Sequence, residues 1–308
     1  MKSSPNLPIR ILTHNIRYAT TSPFPGEELW PIRLPRLLNE LRYTTLYNPE
    51  AFICLQEVLH PQLLDILTNL NANNTSNPNP NPNPNPEAPQ EWSYIGVARD
   101  DGHQAGEYSP VLYRPAVWSL LHFRTVWLSP TPDVPSKGWD AASIRLLTIG
   151  VFKHRASKQQ VVALNTHLDD QGSVSRLRGA EMIVAEIERL AGPSFSSPAF
   201  SAGTTLPVFL AGDLNSEPAQ EAYEVLNGAA SPVQDALGLA GGRVYGHGNT
   251  FTGFVPEEEG EAAKRIDFLF VGREGWRVRG LAGLESRFED GVFVSDHRAV
   301  VGDFVVGG

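Results

Sequence analysis

The chain has a single cysteine, Cys54, in the apolar run "AFICL". No disulfide can form within it. No Cys/His cluster is present to make a structural zinc site. Cys54 reads as a small buried hydrophobe. Apolar runs approaching the length of about 18 residues that a membrane crossing needs are also missing, so no membrane span is expected. Basic residues are in deficit, with 25 Lys and Arg against 34 Asp and Glu and a formal net charge of −9. Tight nonspecific binding to nucleic acid depends on Lys and Arg contacts to phosphates, and this surface does not favour it. A local basic pocket stays compatible with that balance. No apolar stretch of signal-peptide length follows Lys2, where Pro5 and Pro8 interrupt the run. An intracellular, cytoplasmic protein is therefore expected, and a monomer.

Apolar content is ample. Across 308 residues, 41% are hydrophobic, enough for a sizeable core. "IRILTHNIRY" and "AFICLQEVL" read as buried strands that run out into polar groups. "LPRLLNELRY" places Leu34, Leu37, Leu38 and Leu41 on one helical face, with Pro31 and Pro35 suited to the helix start. "HPQLLDILTNL" repeats that spacing with Leu63, Ile66, Leu67 and Leu70. The alternating "NPNPNPNPNP" removes backbone donors, so the stretch at about 73–90 is expected to be a disordered, extended loop. Texture is similar on both sides of it, which predicts one domain over 8–308 rather than a boundary. After Trp92 come "WSYIGVA", "SPVLYR", "VWSLLHFRTVWL", "RLLTIGVFKH" and "QVVALNTHL" as consecutive strands. "VSRLRGAEMIVAEIERL" is a helix with Leu177, Ala180, Val184 and Ile187 on one face. "GPSFSSPAFSAGTT" is a loop. "PVFLAG", "RIDFLFVG", "WRVRGLAGL" and "AVVGDFVV" are further strands, with a short helix in "AQEAYEVL". Strand runs of this kind imply antiparallel pairs. The expected fold is α/β, with two mixed β-sheets packed together and flanked by helices.

Several strands end alike, delivering polar side chains. "ILTHN" delivers Asn15, "FICLQE" Glu57, "VALNTH" His167 and "VFLAGDLN" both Asp213 and Asn215. "KRID" places Asp267 at a strand start, and "VFVSDH" places Asp296 and His297 just before "RAVV". Any one of these is usually a solvated turn residue. As a set, strands sharing a sheet bring their ends to one rim, where a rigid scaffold positions functional groups. Hard oxygens from Glu57, Asp296 and Asn15 suit Mg²⁺, with Mn²⁺ as an alternative. His297 with Asp267 suits an oriented imidazole. His167 can bond a phosphoryl oxygen or assist a leaving group. Asn215 can donate to the attacked phosphate while Asp213 orients a water. Together these residue types support metal-assisted phosphoester hydrolysis.

The motifs "HNIRY", "LQEVL", "GEYSPVLY", "NTHLD", "GDLNSEP", "RIDFLFV" and "SDHRAVV" resemble, in order, those of the endonuclease/exonuclease/phosphatase superfamily. The resemblance implies a DNase I-like four-layered α/β sandwich and a divalent-metal hydrolase. It makes Glu57 the principal metal ligand, with Asn15 and Asp296 completing the metal or phosphate shell. It has Asp267 orient His297, which acts as general base or as electrostatic stabiliser. It puts Asp213 and Asn215 on the attacking water and the phosphate, and His167 on the phosphate. Tyr108 of "GEY" matches a site tyrosine of the abasic-site nucleases. Motifs diagnostic of those nucleases and of the inositol-polyphosphate 5-phosphatases are not reproduced, and the phrases "ARDDG", "TVWLSPTP" and "SKGWDAASIR" look most like a microbial and fungal subgroup. There, Arg17 and Arg145 are candidate phosphate-binding arginines, since a guanidinium suits bidentate phosphate recognition. Trp139 is a candidate cleft wall, whereas Trp127 suits core packing. The net charge favours a small phosphorylated metabolite, such as a sugar phosphate or nucleotide, as substrate. A nuclease acting on DNA or RNA is the alternative. A silent binding module is a third reading, and it predicts lost catalytic positions, none of which is lost here.

Overall fold

Strand Leu7–Asn15 sits in the middle of a seven-stranded sheet, between parallel Phe52–Gln56 and antiparallel Val300–Val306. Its apolar residues are almost continuously buried, as expected of a strand covered on both faces. The computed structural model to which this strand belongs describes residues 6–72, 90–191, 206–255 and 263–307. The Asn-Pro segment (all but Gln90 of the 73–90 stretch) and the Ser/Gly/Pro stretch at 192–205 lie outside those residues. The sheet is extended on one side by Trp276–Gly283 and Val244–Gly246, and on the other by Val111–Tyr113 and Ser93–Ile95. A second sheet of six strands has the order Val233–Asp235, Asp267–Gly272, Val208–Asp213, Gln160–His167, Leu146–His154, Trp118–Trp127.

The two sheets pack face to face over an apolar layer containing Ile11, Phe52, Cys54, Phe152, Phe209 and Phe304. The Phe52 ring lies 4.9–5.4 Å from the rings of Trp118, Phe152 and Phe209, and burial pushes the Cys54 thiol well up. Helices Trp30–Thr45 and His60–Ala72 cover the outer face of the first sheet. Helices Ser173–Ala191 and Glu221–Asn227 cover the outer face of the second. The result is the expected four-layered α/β sandwich. No helix among the described residues is long and apolar enough to cross a membrane.

The helical faces differ in detail from the sequence reading. Ala180, Ile183, Ile187 and Leu190 carry the buried stripe of Ser173–Ala191, with Leu177 and Val184 only half-buried at its margin. Pro35 lies inside helix Trp30–Thr45 rather than at its start, where Pro31 stands. Its missing N–H removes only one bond near the end of the helix. Strands Val58–Leu59 and Glu107–Tyr108 form a two-stranded ribbon, and Val233–Asp235 and Val244–Gly246 are edges. All are too short to carry a readable period.

This topology brings the polar strand ends to one rim. Asn15 is level with Gln56 in the first sheet. In the second, Asp213 is level with His167 on one side and Asp267 on the other. Beneath the rim, Gln56 donates from Nε2 to Asn165 Oδ1 (2.7 Å), and Asn165 donates to the carbonyls of Leu55 and Pro110. These buried bonds tie the two sheets together directly under the site.

Candidate active site

The rim opens into a cleft of about 810 Å³. Glu57, His167, Asp213, Asn215, Asp296 and His297 line it, as do Arg17 and Arg145. Nearly every side chain singled out in the sequence therefore converges. Arg17, Glu57 and Asn215 have positive φ of 58°, 59° and 46°. Such backbone is costly for non-glycine residues and tends to collect at functional sites.

His297 Nδ1 lies 2.8 Å from Asp267 Oδ2, and its Nε2 is 3.7 Å from Asp213 Oδ2. Burial alone would lower the imidazole's pKa, but the carboxylates of Asp267 and Asp213 outweigh it and hold it well above the usual value. Asp213 is pushed up to about 7, by burial first and then by Asp267. Its Oδ1 accepts from Asn215 N (2.8 Å) and its Oδ2 from Asn15 Nδ2 (3.0 Å). Asp213, Asp267 and His297 bring potential ligand atoms within 4.8 Å of one another. Both Asp213 oxygens and the Asp267 Oδ2–His297 Nδ1 pair are committed to hydrogen bonds, while Asp267 Oδ1 is buried without one.

A second group of carboxylates faces it. Glu57 accepts from Asn15 Nδ2 (3.0 Å) and Tyr18 N (3.1 Å), and Arg17 Nη1 is 3.9 Å away. Asp296 accepts from Ser295 Oγ (3.2 Å) and is held above its usual range, by burial first and also by Glu57. Asn15 turns its amide nitrogen toward Glu57 and Asp213, while its oxygen accepts from Arg17 N. In this arrangement it separates the carboxylates.

His167 is buried and held well below the usual histidine value, by burial first and then by Arg145, Arg99 and His297. It is therefore neutral. Asn215 Nδ2 donates to Leu168 O (3.0 Å) and lies 3.0 Å from His167 Nε2. The imidazole accepts there and carries its proton on Nδ1, which faces Glu107 Oε2 at 3.9 Å. Both amide hydrogens of Asn215 are thereby engaged, so donating to a phosphate would mean releasing one of them.

Two expected site residues are not brought to the cleft. The buried Tyr108 turns its hydroxyl away, donating to His103 O (2.6 Å) with His60 Nδ1 at 3.0 Å. Burial pushes that phenol up to about 12. Trp139 lies on the outside of a loop fixed by Asp140, which accepts from Val174 N and Ser175 N at the start of helix Ser173–Ala191. Trp127 packs in the interior and donates to Arg99 O (2.8 Å).

The structure adds residues the sequence did not single out. Glu107 lines the cleft, pairs with Arg99 (2.7 Å) and is raised to about 7, by burial first and then by Glu57. It stands in "GEY" beside Tyr108, and neighbours in a strand point to opposite faces. Only one of the two could face the cleft. Arg99, Arg176, Lys264 and Phe251 also line it.

This architecture and rim define a DNase I-like phosphoesterase fold. The chain belongs to the endonuclease/exonuclease/phosphatase family, whose model matches residues 12–297, and whose members hydrolyse phosphoesters. Among solved structures it is similar to an endonuclease/exonuclease/phosphatase from Bacteroides vulgatus, at 30% identity and TM-score 0.79, covering 97% of this chain and 99% of that one. It is also similar to the mannosyl-6-phosphatase Bt3783 of Bacteroides thetaiotaomicron, at 24% identity and TM-score 0.76, covering 96% and 99%. D. rerio TDP2 complexed with a single-strand DNA product shares the fold at 17% identity and TM-score 0.65, covering 96% and 98%. A search of curated proteins found no match.

Proposed function

We propose that the protein is a divalent-metal-dependent phosphoester hydrolase acting on a small phosphorylated metabolite. The charge balance of the cleft carries the substrate class. Four arginines, Lys264 and the protonated His297 line it, against six carboxylates. Each of the arginines is paired: Arg17 with Glu27, Arg99 with Glu107, Arg145 with Asp169 and Asp170, and Arg176 with Glu221. A polynucleotide groove needs uncompensated cations along its length. A balanced cleft suits one phosphate arriving with one cation.

The residues fit such a cation. Asp296 and Glu107 are both raised in part by Glu57, a repulsion that a bound cation would relieve. Glu57 and Asp296 would hold Mg²⁺ or Mn²⁺. Asn15, expected from the sequence to help ligate it, turns its nitrogen to Glu57 and Asp213 and gives its oxygen to Arg17 N, and so would bridge carboxylates instead. The ion would supply charge neutralisation on the phosphoryl oxygens. The chain's own groups do the rest. Asp213, poised near neutrality, orients the attacking water and takes its proton. His297, kept protonated by Asp267, donates to the phosphoryl oxygen as charge builds. Neutral His167 approaches the same Asp213 oxygen as His297, with its Nε2 at 3.5 Å, and Arg17 and Arg145 orient the phosphate.

The test is a panel of p-nitrophenyl phosphate, bis-p-nitrophenyl phosphate, sugar phosphates, nucleotides, and single-stranded and duplex nucleic acid. It is run with Mg²⁺ or Mn²⁺ and with EDTA. Mannose 6-phosphate belongs in it because a solved neighbour of similar length carries that activity in its name. The expected result is cleavage of small phosphoesters, abolished by EDTA and by Glu57→Gln. Activity confined to polynucleotides overturns the substrate class. No cleavage of any member overturns the enzyme reading.

A further inference from the structure

Arg33 lies in the first turns of helix Trp30–Thr45, fully buried and outside the cleft lining. A guanidinium has five N–H donors, and here they reach five backbone carbonyls. Nε donates to Glu28 O (2.9 Å). Nη1 donates to Ile16 O (2.8 Å) and Val294 O (2.9 Å). Nη2 donates to Arg17 O (3.1 Å) and Tyr18 O (3.5 Å). None of these acceptors is a carboxylate. A buried cation whose hydrogen bonds all go to peptide dipoles is expensive, though the Trp30 ring lies 5.6 Å from its guanidinium, and the contacts it makes show what it organises.

Ile16, Arg17 and Tyr18 directly follow Asn15. Their carbonyls converge on one guanidinium because Arg17 adopts φ 58°, which an L-residue avoids unless its surroundings impose it. That turn points Tyr18 N at Glu57 Oε2 (3.1 Å) and the Arg17 side chain into the cleft. The remaining arm holds Val294, two residues before Asp296. Ser295 Oγ donates from there to Asn15 O (2.6 Å). One side chain thus fastens the 16–18 turn, whose Tyr18 N–H donates to Glu57, to the segment that carries Asp296.

We propose that Arg33 is a positioning residue for the metal-binding carboxylates, fixing the 16–18 turn against the 294–296 segment from behind the site. The inference rests on Glu57 and Asp296 holding the ion. Lysine keeps the charge but gathers its three donors on one nitrogen, so it cannot span the five carbonyls.

Mn²⁺ binding to the metal-free protein, read from the free-ion electron paramagnetic resonance signal, tests this without substrate. The variants are Arg33→Lys and Gln62→Leu. Gln62 Nε2 shares the Arg17 carbonyl (3.1 Å) and its Oε1 accepts from Ala19 N, so its loss disturbs the same turn more gently. The control is Arg114→Lys. Arg114, part-buried and paired with Glu91, also donates to carbonyls, Thr45 O at the far end of the same helix and Asn48 O just beyond it. All three should lower the melting temperature. Arg33→Lys should weaken Mn²⁺ binding at least ~10-fold, Gln62→Leu should weaken it in the same direction, and Arg114→Lys should leave it within about twofold of wild type. Unchanged affinity in Gln62→Leu and in folded Arg33→Lys overturns the role, as does equal weakening in Arg114→Lys. Absence of Mn²⁺ binding by the wild type sinks the metal assignment and this inference together.

Discussion

At the residue scale, the chemistry depends on neighbours that set protonation. Asp267 keeps His297 charged and oriented. Asp267→Asn keeps the shape but removes the charge. The expected outcome is a fall in kcat of about 10²–10⁴ with KM little changed, measured on p-nitrophenyl phosphate. A rate within about threefold of wild type would remove Asp267 from the mechanism. Glu107 makes the opposite case. Its carboxyl is raised from 4.5 to about 7 by burial and by Glu57, so in the ion-free protein it stabilises nothing when charged. Below about pH 4.5 folded and unfolded chains both hold the proton and the penalty is absent. From there to about 7 the unfolded chain ionises first, so stability falls as pH rises, and above 7 the full penalty persists. Glu107→Gln should therefore leave the ion-free melting temperature nearly unchanged at about pH 4.5 and raise it at pH ~8, by at most about 3 kcal/mol in stability. Thermal melts at the two pH values in EDTA check the sign, and a lower melting temperature at the higher pH contradicts the account.

At the element scale, backbone strain separates the working turns from the merely structural ones. Lys158 sits at φ 67° in the exposed turn between strands Leu146–His154 and Gln160–His167, at the end of that hairpin remote from His167. Lys158→Gly should stabilise the protein by about 0.5–1 kcal/mol with no change in kcat, shown by chemical denaturation and a matched assay. A destabilised variant would mean that the turn is held by its side chain. The elements themselves were largely legible, because long apolar runs such as "RLLTIGVFKH" and "QVVALNTHL" are buried as strands from end to end. So were most residues of the candidate site, because Asn15, Glu57, His167 and Asp213 stand at or just past the close of such a run and Asp267 at the opening of one. Glu107 and Arg99 were not legible. They reach the cleft through a two-residue ribbon and a loop, with no period to mark which side faces in. Tyr108 was misplaced for the same reason, since a strand of two residues gives no clue to which of its faces is buried. Arg33 was hidden by its helix. A charged residue near a helix start ordinarily reads as solvated, and only the folded chain brings five carbonyls around it.

At the scale of the whole molecule, the fold concentrates carboxylates where the two sheets open, against an overall charge of −9. The sandwich tolerates this because three core layers and a buried polar network fix the rim from below. Glu57, Asp296, Glu107 and Asp213 nevertheless share one cleft; burial raises Asp296, Glu107 and Asp213 first, and Glu57 adds repulsion at Asp296 and Glu107. A ligand that binds only the folded state stabilises it by an amount set by its concentration relative to Kd, about 2.7 kcal/mol at ~100-fold excess over Kd. For a chain of this size that corresponds to a rise in melting temperature of about 5 °C. The rise should be larger at pH ~8 than at pH ~5, because Glu107, raised to about 7, no longer repels Glu57 at the lower pH and leaves less repulsion for the ion to relieve, and Asp296 is shifted in the same direction. Glu57→Gln should remove most of it, and KCl at matched ionic strength should not reproduce it, since general screening acts weakly on buried groups. Differential scanning fluorimetry with MgCl₂, MnCl₂ and EDTA at both pH values reads all of these arms. A shift that is equal at the two pH values, or that survives Glu57→Gln, would place the ion elsewhere on the molecule.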